Sequence, residues 1–182
     1  MNRTGCKKFQ NQSGFNLVEL TIFIVVTSIA MVGVLSVFQN AGSKTAQSFE
    51  QKRALEAAQM ILEEVTLMPF GYCEPTDPRS AMALSEADCD IVQGFGPNLG
   101  QTRGGANPFN HIKDYHGYTQ QGITDINGNS IVGLGSWSLK IEVENVTVGT
   151  IPNTEVLRIR VSVENGLGVS SMYGYKTRYA PN

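Results

Sequence analysis

The chain has 182 residues, with 14 Lys and Arg against 16 Asp and Glu and a formal charge of −2. That balance excludes a basic nucleic-acid surface, because the cations are sparse and, past the first ten residues, unclustered. The length beyond residue 40 is enough for one domain of ordinary size.

Residues 1–14 contain Arg3, Lys7 and Lys8 and no Asp or Glu, so their removal leaves a charge of −5. The junction Gly14-Phe15 follows, then Asn16-Leu17-Val18 and a lone Glu19. Leu20 to Phe38 is an uncharged run of 19 residues, rich in Ile, Val and Phe and free of Pro. At about 1.5 Å rise per residue such a run spans roughly 29 Å as a helix, close to the ~30 Å of a bilayer core. A single transmembrane helix is predicted over 15–38. The basic residues ahead of it keep the N-terminus cytoplasmic and send the rest across the membrane. A cleaved secretory signal is the rival reading. It fits less well, because the apolar run is long and Ser36-Val37-Phe38-Gln39 is a poor cleavage site.

The run Gly14-Phe15-Asn16-Leu17-Val18-Glu19-Leu20 resembles the cleavage and methylation signal of type IV prepilins and type II secretion pseudopilins. The resemblance implies a leader of residues 1–14, cut by a prepilin peptidase between Gly14 and Phe15, and N-methylation of Phe15. It makes Glu19 the residue that sets subunit register. The physical reason is that a carboxylate buried among apolar helices in a filament must be paired, and the new α-amine of Phe15 is a suitable partner. The implied partners are other pilin subunits, the inner-membrane assembly machinery, the peptidase and the membrane itself. The implied location is a single-pass inner-membrane protein with a periplasmic C-terminal domain, later part of an extracellular pilus. Many major pilins carry a Pro in mid-helix; here Gly33 and Ser36 stand nearby, and the bending or melting that a Pro promotes does not carry over.

After Gln39-Asn40-Ala41-Gly42-Ser43 a helical period resumes over 44–68. Leu55, Ala58, Ile61, Leu62, Val65 and Met68 form the expected core stripe, with Lys52, Glu56, Gln59, Glu63 and Glu64 on the polar side. Gly42 is the expected point of any break, and Pro69 ends the helix. The amphipathic continuation is therefore placed at 39–68. Its run Arg53 to Val65, with Pro69-Phe70, Tyr72-Cys73-Glu74-Pro75, Asn107-Pro108-Phe109 and Asp114-Tyr115, is similar to minor pilins of the mannose-sensitive haemagglutinin (MSHA) type. Such subunits initiate or modify a pilus rather than build its bulk.

Residues 69–135 are rich in Gly, Pro, Asn and Asp and read as loops, with a short helix over 80–87. Cys73 and Cys89 lie in an oxidising compartment on this topology, and a disulfide between them would staple a stretch poor in apolar residues. Two thiols with no nearby His make a weaker zinc set. His111, Asp114 and His116 could hold a metal or move protons, but no third strong ligand or placed nucleophile accompanies them. Asp125-Ile126-Asn127-Gly128-Asn129 resembles the start of a calcium loop, yet its twelfth position is Ser136 rather than Glu, and Asn127-Gly128 reads equally as a turn. No catalytic residue, resident metal or cofactor is assigned, and the chain is not read as an enzyme.

The region 136–182 alternates in polarity. Trp137, Leu139, Ile141 and Val143 form one face of a strand; Leu157, Ile159, Val161 and Val163 form another. Asn165-Gly166 is a hairpin signal, and Val169 to Thr177 returns with Val169, Ser171, Tyr173 and Tyr175 on one face. Arg158 and Arg160 face solvent or a neighbouring subunit. The predicted fold is α+β and pilin-like: a long N-terminal helix, transmembrane in its first half, packed on a C-terminal antiparallel sheet. Besides the MSHA-type minor pilin, two readings stay open: a type II secretion pseudopilin, and a membrane-tethered binding module that never polymerises.

Overall fold

A computed structural model describes residue 14 and residues 16–98 and 100–178. The chain divides into two compact units, Met1–Ala46 and Gln47–Asn182, the second of which is called the head. Helix α1 runs Leu17–Leu67. Gly42 therefore does not interrupt it: a glycine costs a helix only about 1 kcal/mol relative to Ala, and no Pro stands between Leu17 and Leu67. The helix ends two residues before Pro69, whose ring cannot follow a helical turn.

In the second unit four strands form one antiparallel sheet in the order β1 (Thr119–Gln121), β2 (Ser138–Asn145), β3 (Val156–Glu164), β4 (Val169–Thr177). Register is set by polarity. Leu139, Ile141 and Val143 lie opposite Val163, Val161 and Ile159, and all six are buried. A slip of one residue would turn that whole set to water. Between β3 and β4 the chain turns through Asn165 to Gly168, with Gly166 at φ +76° and the Asn165 side chain accepting from Leu167 N–H at 3.2 Å. Tyr173 and Tyr175 share the outer face with Arg160 and Arg158, their cross-strand partners, and are exposed.

The inner face of the sheet is covered by α1 from Ala54 onward. Ala54, Ala57, Ala58, Ile61 and Val65 are buried in one core with β2 and β3. Leu55, expected in that stripe, is instead 45% exposed. It sits one residue, or about 100°, away from Ala54, and the small alanines rather than the leucine face the sheet. Leu62 and Met68 pack on the edge of the core as expected. Leu62 Cδ1 lies only 2.9 Å from where a Cβ on Gly174 would stand, so the bare backbone of β4 receives it.

The loop-rich segment contains more structure than composition implies. The helix expected over 80–87 is reduced to turns and a short 3-10 helix, Glu86–Asp88, whose Asp88 carboxylate accepts from Leu84 N–H and Ser85 N–H. A second 3-10 turn, Ile112–Tyr115, is entirely buried, and β1 joins the sheet. Phe70, Phe109, Ile112, Tyr115, Ile123 and Leu134 all enter the core. Phe109 meets Tyr115 edge-on at 4.9 Å between ring centres and Tyr118 at 5.7 Å. The disulfide is thus not the main restraint on this stretch; spaced apolar anchors are.

Candidate assembly stalk and the polar network of the head

Residues Leu17–Gln39 of α1 form a 23-residue segment long and apolar enough to cross a membrane, with none of it buried. Leu17, Phe23, Met31 and Phe38 are each 64–76% exposed. Three hydroxyls of the segment find their partners within the helix itself. Thr21 donates to Val18 O at 2.8 Å, Thr27 to Phe23 O at 2.8 Å, and Ser28 to Ile24 O at 2.6 Å. A hydroxyl that bonds to its own helix can enter lipid or an apolar interface at low cost. Glu19 is the one charged residue of the segment. It lies in the first turn of α1, where a negative charge favours the helix dipole. Among the described residues it has no hydrogen-bond or ion-pair partner. Gly14 is exposed, with open space around its Cα. Phe15, the cleavage partner and methylation site, lies outside the described residues, as do leader residues 1–13.

A disulfide joins Cys73 to Cys89 across 16 positions. It closes a loop in which Asp77, 2% exposed, accepts from the N–H groups of Arg79 at 2.8 Å and Ile91 at 2.7 Å. Those two backbone donors hold the Asp77 carboxyl below the usual range.

The candidate metal or acid–base set does not converge. His111 is fully buried, and two backbone donors point at its ring: Gly71 N–H at Nε2 and Lys113 N–H at Nδ1, each 3.1 Å away. A neutral imidazole can accept from one of them, and a protonated one from neither. Burial, reinforced by the Lys113 charge, lowers its pKa to about 4. Asp114 accepts from His111 N–H, Asn110 N–H and the Gln93 amide, and burial raises its pKa. His116 is exposed and turns away, accepting from Val143 N–H at 3.3 Å and stacking edge-on against Phe95. His111 and Asp114 spend these bonds on the backbone and side chains of the surrounding loops.

Asp125 is likewise spent on its own turn. It accepts from Asn127 N–H at 2.9 Å, Asn129 N–H at 2.8 Å and the Asn129 amide at 3.0 Å, with Gly128 at φ +83°. Among the described residues no group of three or more His, Cys, Asp and Glu gathers as a metal set. Arg158 and Arg160 pair across the sheet with Glu144 and Glu142 of the same chain.

The most tightly built polar feature was not anticipated. Glu64, assigned to the polar side of the helix, is only 12% exposed, and Arg103 is 3% exposed. The guanidinium meets the carboxylate through two bonds of 2.8 and 2.6 Å. Arg103 also donates to Gln120 Oε1 and Thr124 O, and Tyr115 donates to Glu64 Oε1 at 2.8 Å. The Arg103 pKa is raised by its bonds to Glu64 against the opposing effect of burial, which is the largest single influence. Proximity to the same carboxylate, with burial foremost, raises Tyr115. The network ties the last turns of α1 to the loops. A second tie is Lys176 of β4, whose ammonium donates to Thr66 O at 2.6 Å and to Met68 O. It supplies the cation that the C-terminal turn of α1 lacks in its own sequence.

No protein-family model, no curated protein and no solved structure matches the chain.

Proposed function

We propose that the chain is a minor type IV pilin of the MSHA type, a filament subunit that initiates or modifies a pilus. Its leader is removed after Gly14, Phe15 is methylated, and the Leu17–Gln39 segment holds it in the inner membrane until assembly. The observation that carries this reading is an unburied apolar segment of membrane length that opens on one carboxylate without a partner among the described residues. Such a segment needs apolar surroundings at every stage, first lipid and then neighbouring helices. In the second setting Glu19 needs a positive charge, and the amine of Phe15 on an adjacent subunit provides it. Removing one member of a buried ion pair costs about 3–5 kcal/mol.

Glu19→Ala tests the role. The variant should be exported, form the Cys73–Cys89 disulfide and stay in the membrane, while its recovery in sheared fibres falls at least tenfold. Fibres containing the variant at the normal level would refute the register role of Glu19. A wild-type protein that is never recovered in sheared fibres, yet is stable in the membrane, would overturn the pilin reading and leave the pseudopilin and the tethered binding module.

A further inference from the structure

Two cations of the head have buried side chains with unused donors. Lys113 is 5% exposed and the Arg178 side chain 7%. An ammonium has three N–H donors and a guanidinium five. Lys113 spends one, on Gln93 O at 3.2 Å, and no carboxylate lies within ion-pair distance of it among the described residues. Arg178 spends one, in an ion pair with Glu155 Oε1 at 3.3 Å, and its Nε is buried without any hydrogen-bond partner. The Arg178 Cζ lies 3.5 Å from the centre of the Tyr72 ring and 4.4 Å from that of Phe70, so both faces of the cation see aromatic side chains rather than hydrogen-bond acceptors. Lys113 sits 5.1 Å over Phe95. Both cations line one open cavity of about 380 Å³, together with Tyr72, Glu86, Asn145 and Thr154.

Buried charge with unused donors is costly in a protein that has no use for it. We propose that this cavity binds the carboxylate of a small hydroxylated acid, of the sugar-acid class, between Lys113 and Arg178. The rim selects that chemistry. Glu86 and Glu155 repel a dianion such as phosphate more strongly than a monoanionic carboxylate. The same two carboxylates, with Asn145 and Thr154, accept from and donate to hydroxyl groups. The inference concerns the head alone and stands whether or not the stalk polymerises.

Equilibrium dialysis of the detergent-solubilised full chain against radiolabelled D-glucuronate, at fixed ionic strength, tests the assignment. Saturable binding in the millimolar range or tighter is expected, with no binding of D-glucose. N-acetylglycine, a peptide-like carboxylate without hydroxyls, should bind at least tenfold more weakly than glucuronate. Lys113→Met, which keeps the length and apolar stem of the side chain, should weaken glucuronate binding at least tenfold while the Trp137 fluorescence of the folded state is retained. Thr154→Val, at the exposed rim, gives a second variant that should fold normally and lose several-fold affinity for glucuronate but not for N-acetylglycine. No saturable binding of glucuronate up to 50 mM (about the weakest useful affinity, ~2 kcal/mol) would overturn the proposal. So would undiminished binding by both variants, or a preference for inorganic phosphate over either carboxylate.

Discussion

Removing Arg103 should destabilise the head more than any other single change at a polar residue. The Glu64 carboxylate is 12% exposed and takes three of its hydrogen bonds from Arg103 and Tyr115. In Arg103→Ala it would stay buried with the Tyr115 hydroxyl as its remaining partner. Leaving one member of a buried pair uncompensated costs about 3–5 kcal/mol. The acceptors at Gln120 and Thr124 O lose their donor as well, but both lie nearer solvent. Replacing both members by apolar groups, Glu64→Leu with Arg103→Met, removes the stranded charge and leaves one buried hydroxyl without its acceptor, a cost of about 1–3 kcal/mol. The double variant should therefore be more stable than Arg103→Ala. Urea unfolding of the detergent-solubilised chain, followed by the fluorescence of the buried single Trp137, measures this. With a slope of about 1.5 kcal/mol per molar urea, the midpoint of Arg103→Ala should fall by roughly 2–3 M. A loss below about 1 kcal/mol, or a double variant less stable than the single, would refute the reasoning.

Three further outcomes follow from other parts of the head. His111 protonates near 6.5 when unfolded but at about 4 when folded. Its contribution is complete above pH 6.5 and is lost as the pH falls from 6.5 towards 4, by about 3 kcal/mol; His111→Gln should flatten the stability–pH curve in that window, and an unchanged slope would contradict the assignment. Reducing Cys73–Cys89 frees a loop whose closure stabilises by about 3 kcal/mol in the chain-entropy model. Trypsin should then cut first at exposed Arg79, while the sheet stays folded; cleavage no faster than in the oxidised protein would count against a local role. Gly174→Ala puts a Cβ 2.9 Å from Leu62 Cδ1, and because that methyl is the free end of a side chain the loss should be about 1 kcal/mol. Thermal unfolding would detect it, and Leu62→Val should recover most of it.

The sheet was legible because its code is local. Trp137 to Glu144 and Leu157 to Val163 alternate without exception, and each side chain lies on the face its polarity indicates. The stalk was legible for the same reason, since length and apolarity alone define it. The loop region was not. Phe109, Ile112 and Ile123 are too far apart in sequence to show a period, yet they meet in one core. Glu64 looked solvated because its partner stands 39 residues away, and no spacing rule links a helix glutamate to an arginine in a loop. Leu55 misled because two small alanines flanking its turn face the sheet in its place. Lys113 and Arg178 carry no motif; only folding reveals that both are buried beside the same cavity.

The central claim is that Glu19 and the residues around it are a processed assembly signal rather than an ordinary membrane anchor. Intact-mass and N-terminal peptide mass spectrometry of the protein from membranes of cells with active prepilin peptidase tests it most directly. The account predicts a mature chain that begins at Phe15 and carries one extra methyl group on its amine. A chain that retains Met1, or one that begins after residue 38, would contradict it.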